Sequence, residues 1–366
     1  MAIISYKCPN CDGELIFEPS TQKYKCEYCG SLFSQEELDA MKPAEGSETA
    51  DSGNAAGETI TGEDGREQET AGDKAEQGAV IYICPSCGAQ IVTDDTTAAT
   101  FCYYCHNPVV LGGRLEGNYL PDKIIPFSIT REAAEKGFEE YIGKKKFVPG
   151  AFFNKKQIES MTGVYFPYWL YDVNLQGAMQ AEGRNVRVWR SGDTEFTETK
   201  FYNVQREGEV ELSNLSENAL KKANARLAKN MMPYDFSKMK EFKTGYLSGF
   251  LAERRDIEKQ EVEGKMQQEM RESAERLLRE TISGYNSVSV RNTNIVPKKE
   301  NWSYVLFPVW TITYKAKNGK IYYYSMNGQT GKVSGELPID YAKVTLVSAL
   351  SAAAALALAL IGGFFL

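Results

Sequence analysis

Every cysteine in this chain belongs to a Cys-x-x-Cys pair. Cys8 and Cys11 are matched by Cys26 and Cys29, and Cys84 and Cys87 by Cys102 and Cys105. Fourteen residues separate the two pairs in each set. That is one short of the usual spacing for four-cysteine zinc sites. A Cys-x-x-Cys turn puts two soft sulfurs on one side of an ion, and two such turns complete a tetrahedron. The pattern predicts two structural Zn2+ ions, one per set, with the metal serving the fold rather than a reaction. The alternative use of paired cysteines, a disulfide framework, suits exported chains. Met1 to Tyr6 leads straight into the first knuckle with no export pattern, so reduced, metal-holding thiols are expected.

Other chemistry is short of parts. The sole histidine, His106, follows Cys105 directly. It reads as a solvent-facing knuckle residue, with a role beside the metal as the alternative. A single histidine there leaves no Ser-His-Asp or Cys-His set elsewhere. There is no HExxH and no GxSxG. Gly328-Gln329-Thr330-Gly331-Lys332 looks like a phosphate loop, but it lacks the GxxxxGK[ST] spacing and lies between strand-like runs. It reads as a glycine-rich turn. Asp172, Glu182 and Glu195 are the carboxylates an enzymatic reading would use, and their spacing is not specific. No catalytic residue is assigned.

The elements that carry these residues divide the chain into five. Residues 1–41 form a first zinc ribbon, with short strands beside its knuckles and a helix capped near Ser34. Residues 42–79 have no aromatic residue and one large aliphatic, Ile60. They cannot bury enough apolar surface to offset ordering and read as a disordered acidic linker. Treated as a flexible coil, the linker reaches roughly 30–40 Å. Residues 80–118 repeat the first ribbon without a gap. Residues 119–338 form a mixed α+β domain. In it, Thr130 caps a helix over 131–145, and Gly163 to Gln176 reads as a strand. Arg187–Arg190 and Glu195–Tyr202 flank a hairpin turn at Gly192-Asp193. From Leu251 to Ile282, Val262, Met266, Met270, Ala274, Leu277, Leu278 and Ile282 recur at helical spacing and predict a long amphipathic helix. Trp302–Tyr314, Ile321–Met326 and Lys332–Leu337, punctuated by Asn318-Gly319 and Asn327-Gly328, predict a three-stranded antiparallel meander.

Phe-Pro-x-Trp occurs twice, at Phe166–Trp169 and Phe307–Trp310, each in a strand-like run. The two copies read as equivalent positions in two related halves. A proline lacks the ladder donor, which places it at an edge or a bulge.

Residues 344–366 contain no charge and match the length of a membrane-crossing helix. Lys343 precedes them and favours a cytoplasmic flank. The expectation is a single-pass cell-membrane protein with its bulk in the cytoplasm. The net charge of -7 and the pI near 5.2 argue against a general polyanion binder. The first ribbon carries Lys7, Lys23 and Lys25 against seven acidic residues, and the second only Arg114 against Asp94, Asp95 and Glu116. Phosphate backbones are bound by Lys and Arg, so both ribbons have the wrong sign for nucleic acid. Lys144-Lys145-Lys146, Lys221-Lys222 and Lys298-Lys299 read as solvated charge, with anionic lipid as the alternative partner.

The four-cysteine units, GVYFPYWLYD, FPVW, and MNGQTGKVSGELPID before the span together resemble bacterial TFIIB-type zinc-ribbon-containing membrane proteins. Some of these carry a label from the primosomal replication-restart helicase. This chain departs from that helicase in lacking a Walker A loop and a motor domain. The resemblance implies architecture rather than an activity. The expectation is a non-enzymatic, membrane-anchored adaptor presenting two ribbons, the first on a swinging arm, to a protein partner. On that view Cys26→Ser would unfold the first ribbon and leave 119–338 intact. A nucleic-acid-binding protein of replication or transcription is the alternative.

Overall fold

The computed structural model describes residues 3–4, 7–41, 80–83, 90–93, 96–101, 108–111, 115, 117–150, 158, 161–221, 230–315 and 320–364. The linker 42–79, the cysteines Cys84, Cys87, Cys102 and Cys105, His106, and the Asn318-Gly319 turn lie outside the described residues.

Two strands organise the body. Strand β10 (Thr162–Ser191) and strand β14 (Ser287–Lys315) pair antiparallel over most of their length. Their sequences are rich in β-branched and aromatic residues, which suit a pleated, half-buried surface. The first Phe-Pro-x-Trp lies against the second, with Phe166 opposite Phe307. About that pair the surroundings match on both sides. Val164 and Tyr165 pair parallel with β13 (Leu251–Glu253), and Val305 and Leu306 pair parallel with β9 (Lys123–Ile124). From Tyr168 onward β10 turns to β11 (Thr194–Asn218), and from Val309 onward β14 turns to β15 (Ile321–Asn327).

Each proline stands where one partner strand hands over to the next. Neither is on an edge strand, and neither coincides with a register shift, so the expected edge or bulge is corrected. The N and O of one residue in an antiparallel strand face the same neighbour. The Pro167 carbonyl accepts from Ala219 N at 3.0 Å and that of Pro308 from Gly328 N at 2.9 Å. The missing N–H therefore falls in a gap between partners and costs no ladder bond.

The tryptophans tie in the helices in the same way. Trp169 Nε1 donates to Ile257 O at 3.0 Å and Trp310 Nε1 to Ile129 O at 2.9 Å. A helix begins two residues after each of these carbonyls: α2 (Arg131–Gly143) after Ile129 and α3 (Lys259–Glu280) after Ile257. Thr130 caps α2, as its sequence predicts, by accepting from Ala133 N. Helix α3 starts later than periodicity suggests. Leu251–Glu253 is held as strand by β10 and by β7 (Thr97–Phe101), and a Glu258–Glu261 capping box sets the helix start. Val262, Met266, Met270, Ala274 and Leu278 are buried as expected, whereas Leu277 faces out.

The large sheet continues through β7 to β8 (Pro108–Leu111) and β1 (Ile3–Ile4) on one side. On the other it ends in β16 (Val333–Gly335), which completes the expected β14–β15–β16 meander. Strands β10 and β11 join through the Gly192-Asp193 turn and run beyond the start of β14. From Asn185 to Lys200 this hairpin is an exposed two-stranded ribbon, with Trp189 stacked on Phe196 at 5.6 Å. The chain ends in α4 (Tyr341–Phe364). Over Tyr341–Leu360 it is long and apolar enough to cross a membrane, and none of it is buried.

Candidate metal centre

The first four cysteines converge. Their sulfurs all lie within 4.8 Å of one another. Cys8 Sγ is 3.6 Å from Cys29 Sγ, and Cys11 Sγ is 3.5 Å from Cys26 Sγ. A tetrahedral ion with Zn–S bonds of about 2.3 Å sets its sulfurs about 3.8 Å apart. The cluster therefore fits one such ion. Four thiolates fill its coordination shell.

The two knuckles are built alike, which is why widely separated residues meet. Cys8 N donates to Gly13 O at 2.7 Å and Cys26 N to Ser31 O at 2.9 Å. Asp12 N donates back to Cys8 O at 2.8 Å and Gly30 N to Cys26 O at 3.0 Å. Both turns place the residue after the second cysteine in left-handed backbone, Asp12 at φ 58° and Gly30 at φ 73°. Gly and Asp are among the residues that tolerate it. Strands β2 (Leu15–Glu18) and β3 (Lys23–Cys26) pair so that Leu15 faces Cys26, and β4 (Leu32–Phe33) extends them to three. Helix α1 (Gln35–Met41) follows, with Ser34 Oγ accepting from Glu37 N.

Burial separates the ligands into two kinds. Cys8 and Cys26 are buried, and Cys11 and Cys29 are exposed. The side chain and backbone of Ser31 hydrogen-bond to Cys29 and pull its thiol down to about 6. At Cys11 the Gly13 amide pulls downward, but hydrogen bonds to Cys26, Cys29 and Cys8, together with burial, carry the thiol up to about 12. The cluster gives up one proton readily and holds another tightly, as expected where anions crowd. A bound divalent cation supplies the positive charge that lets all four ionise together.

This unit does not swing free. Phe17 N donates to Ser248 O at 3.1 Å, and Ser248 Oγ donates to Leu15 O. Gln22 Nε2 donates to Phe127 O at 2.7 Å, and Lys243 pairs with Asp39. Tyr246 packs edge-on to Phe17 and tilted against Tyr24. Gly249, at φ +90°, lies under Ile16, and a Cβ there would come within 2.4 Å of Ile16 Cγ2. Cys8, Cys26, Leu15, Phe17 and Tyr24 belong to the same buried cluster as Tyr246 and Phe250. The loop 244–250 was not legible as a partner of the ribbon. Nothing in its Gly-Tyr-Leu-Ser-Gly run pairs it with the distant cysteine unit.

The other residues singled out from sequence do not converge. Asp172 Oδ1 accepts from Asn214 N at the bulge in β11, where Asn214 stands at φ 60°, Glu182 pairs with Arg291, and Glu195 pairs with Arg190. Asp172 and Glu195 bridge β10 and β11, and Glu182 bridges β10 and β14. The glycine-rich segment is a turn between β15 and β16, where Asn327 Oδ1 accepts from Gln329 N and Thr330 N.

No family model matches the chain, and no solved structure does. The chain is 32% identical over 342 residues, 93% of its length, to an uncharacterized protein of Bacillus subtilis (strain 168), YdjG, covering 92% of that relative. At that identity, and over nearly the whole of both chains, the chain belongs to the YdjG family.

Proposed function

We propose that this protein is a membrane-anchored adaptor whose metal is structural Zn2+ and whose work is binding rather than catalysis. The carrying observation is the closed four-sulfur cluster, two of whose ligands are built into the body's core. Such a site stabilises a fold and offers no coordination position to a substrate. Cys84, Cys87, Cys102 and Cys105 repeat the spacing and form a second ribbon of the TFIIB type, giving two ions per chain. Helix α4 is the cell-membrane anchor, with the body cytoplasmic. Tight packing of the first ribbon on loop 244–250 makes the adaptor one rigid surface rather than a swinging arm.

The test joins metal content to partner capture. Elemental analysis of purified full chain should find two zinc per chain. Pull-down from membranes should recover a protein partner that a Cys84→Ser, Cys87→Ser variant loses. Zinc well below two equivalents, or identical partner recovery by that variant, overturns the reading.

A second reading, nucleic-acid binding, draws on Tyr28, which stands 82% exposed at the edge of the knuckle and could stack on a base. Glu27, next to it in sequence, and Glu36 and Glu37 of the same ribbon are exposed and oppose phosphate. A salt-dependent shift of DNA by the full chain would favour it.

A further inference from the structure

Helix α4 does not leave the body at a random place. Its first turn is hydrogen-bonded to the loop that follows α2. Asp340 N donates to Phe147 O at 2.7 Å, and Lys343 Nζ donates to Val148 O at 2.8 Å. Val148 is buried, so the loop is fixed there. The three residues before Phe147 are Lys144, Lys145 and Lys146, all exposed. Consecutive Cα atoms are about 3.8 Å apart, so these lysines lie within roughly 12 Å of chain from the hydrogen bond that marks the helix start. Among the described residues, none of the three forms an ion pair. Lys145 instead sits 5.1 Å from the Tyr141 ring. Glu139 and Glu140 stand one helical turn back along α2. Phe147 and Tyr341, both exposed, flank the lysines with aromatic surface. Lysine and aromatic rings beside the end of an apolar helix are the composition of a membrane–water boundary.

Lys343 is itself held by Val148 O and by Asp340, whose Oδ2 is 3.6 Å away, so the unpaired cations at the helix start are the three lysines of the loop. We infer that Lys144–Lys146 form a headgroup-binding collar beside the start of α4, and that its ligand is the anionic lipid of the leaflet from which α4 enters. The inference rests on α4 being a membrane span, and goes beyond it by assigning a lipid class and the residues that select it. The α2 loop is about two hundred residues away in sequence, and only the fold brings it to the span.

The test uses the full chain reconstituted in nanodiscs of phosphatidylcholine alone or mixed with phosphatidylglycerol. Amine labelling read by mass spectrometry should be about fivefold slower at Lys144–Lys146 in the mixed discs. High salt should abolish the difference, and Lys298, on the distant part of β14, should label equally in both. Lipid co-purifying from mixed bilayers should be enriched in phosphatidylglycerol, and K144Q/K145Q/K146Q should lose that enrichment while still entering discs. Equal labelling in both discs by a chain that co-elutes with them overturns the collar alone. A chain that never co-elutes with discs overturns the span and the collar together.

Discussion

The thiols differ in their hold on protons although their spacing in sequence is symmetrical. Hydrogen bonds from Ser31 lower the Cys29 thiol to about 6, and hydrogen bonds to the neighbouring sulfurs raise that of Cys11 to about 12, so the first proton lost from the cluster is favoured at Cys29. Thiolates are the reacting form, so alkylation of metal-free protein at neutral pH should modify Cys29 well before Cys11, read by peptide mass spectrometry. Both are exposed, so access does not decide the order. The sign of the pH effect follows. A depressed value means that the charged form favours the native knuckle above the ordinary thiol range, and that this is lost as pH falls through about 6. Protons also compete directly with the metal. Retention of the proposed zinc against a chelator should therefore weaken as the pH falls, and most steeply below about 6, where Cys29 also takes up a proton; a flat profile would contradict this. Cys26→Ser should remove the metal and also lower the melting temperature of the body, because Cys26 shares a core with Tyr24, Tyr246 and Phe250. That reverses the sequence-based expectation of an independent first ribbon. A body transition unchanged by calorimetry would restore it.

At the level of elements, what is legible in sequence is what local periodicity encodes. The knuckles, the Thr130 cap, the Gly192-Asp193 hairpin and the β14–β15–β16 meander all follow from residues near one another. Strand β13 did not, because Leu251–Glu253 continues a helical pattern and only partners far along the chain hold it extended. The ribbon's seat on loop 244–250 was hidden for the same reason. The repeated Phe-Pro-x-Trp was visible, but not that its copies face each other across β10 and β14. Their matched surroundings make a paired prediction. Trp169→Phe and Trp310→Phe each remove one indole donor from a helix-leading carbonyl. Each should cost about 1–2 kcal/mol in denaturant unfolding, since the ring's bulk is largely kept while a carbonyl is left unpaired. A large difference between the two would mean that the halves are not balanced.

For the molecule as a whole, if α4 is the anchor proposed above, deletion of 344–366 should move the chain from the membrane to the soluble fraction with little change in melting temperature, because it spares Lys343 and removes residues that are not buried against the body. Beyond Arg184, β10 has lost its β14 partner, and the hairpin tip stands as a ribbon with both faces in solvent. An isolated two-stranded ribbon is marginal in water, so limited proteolysis should nick first near Gly192 and leave the body intact. The crossing of the two short parallel strands reaches furthest. Strand β9 precedes β10 in sequence yet pairs with β14, while β13 precedes β14 yet pairs with β10. Neither portion can finish its own sheet. A chain severed between residues 221 and 230 should accordingly yield two polypeptides that are each unfolded alone and that rebuild the native body when mixed, as reciprocal complementation of one interlocked unit.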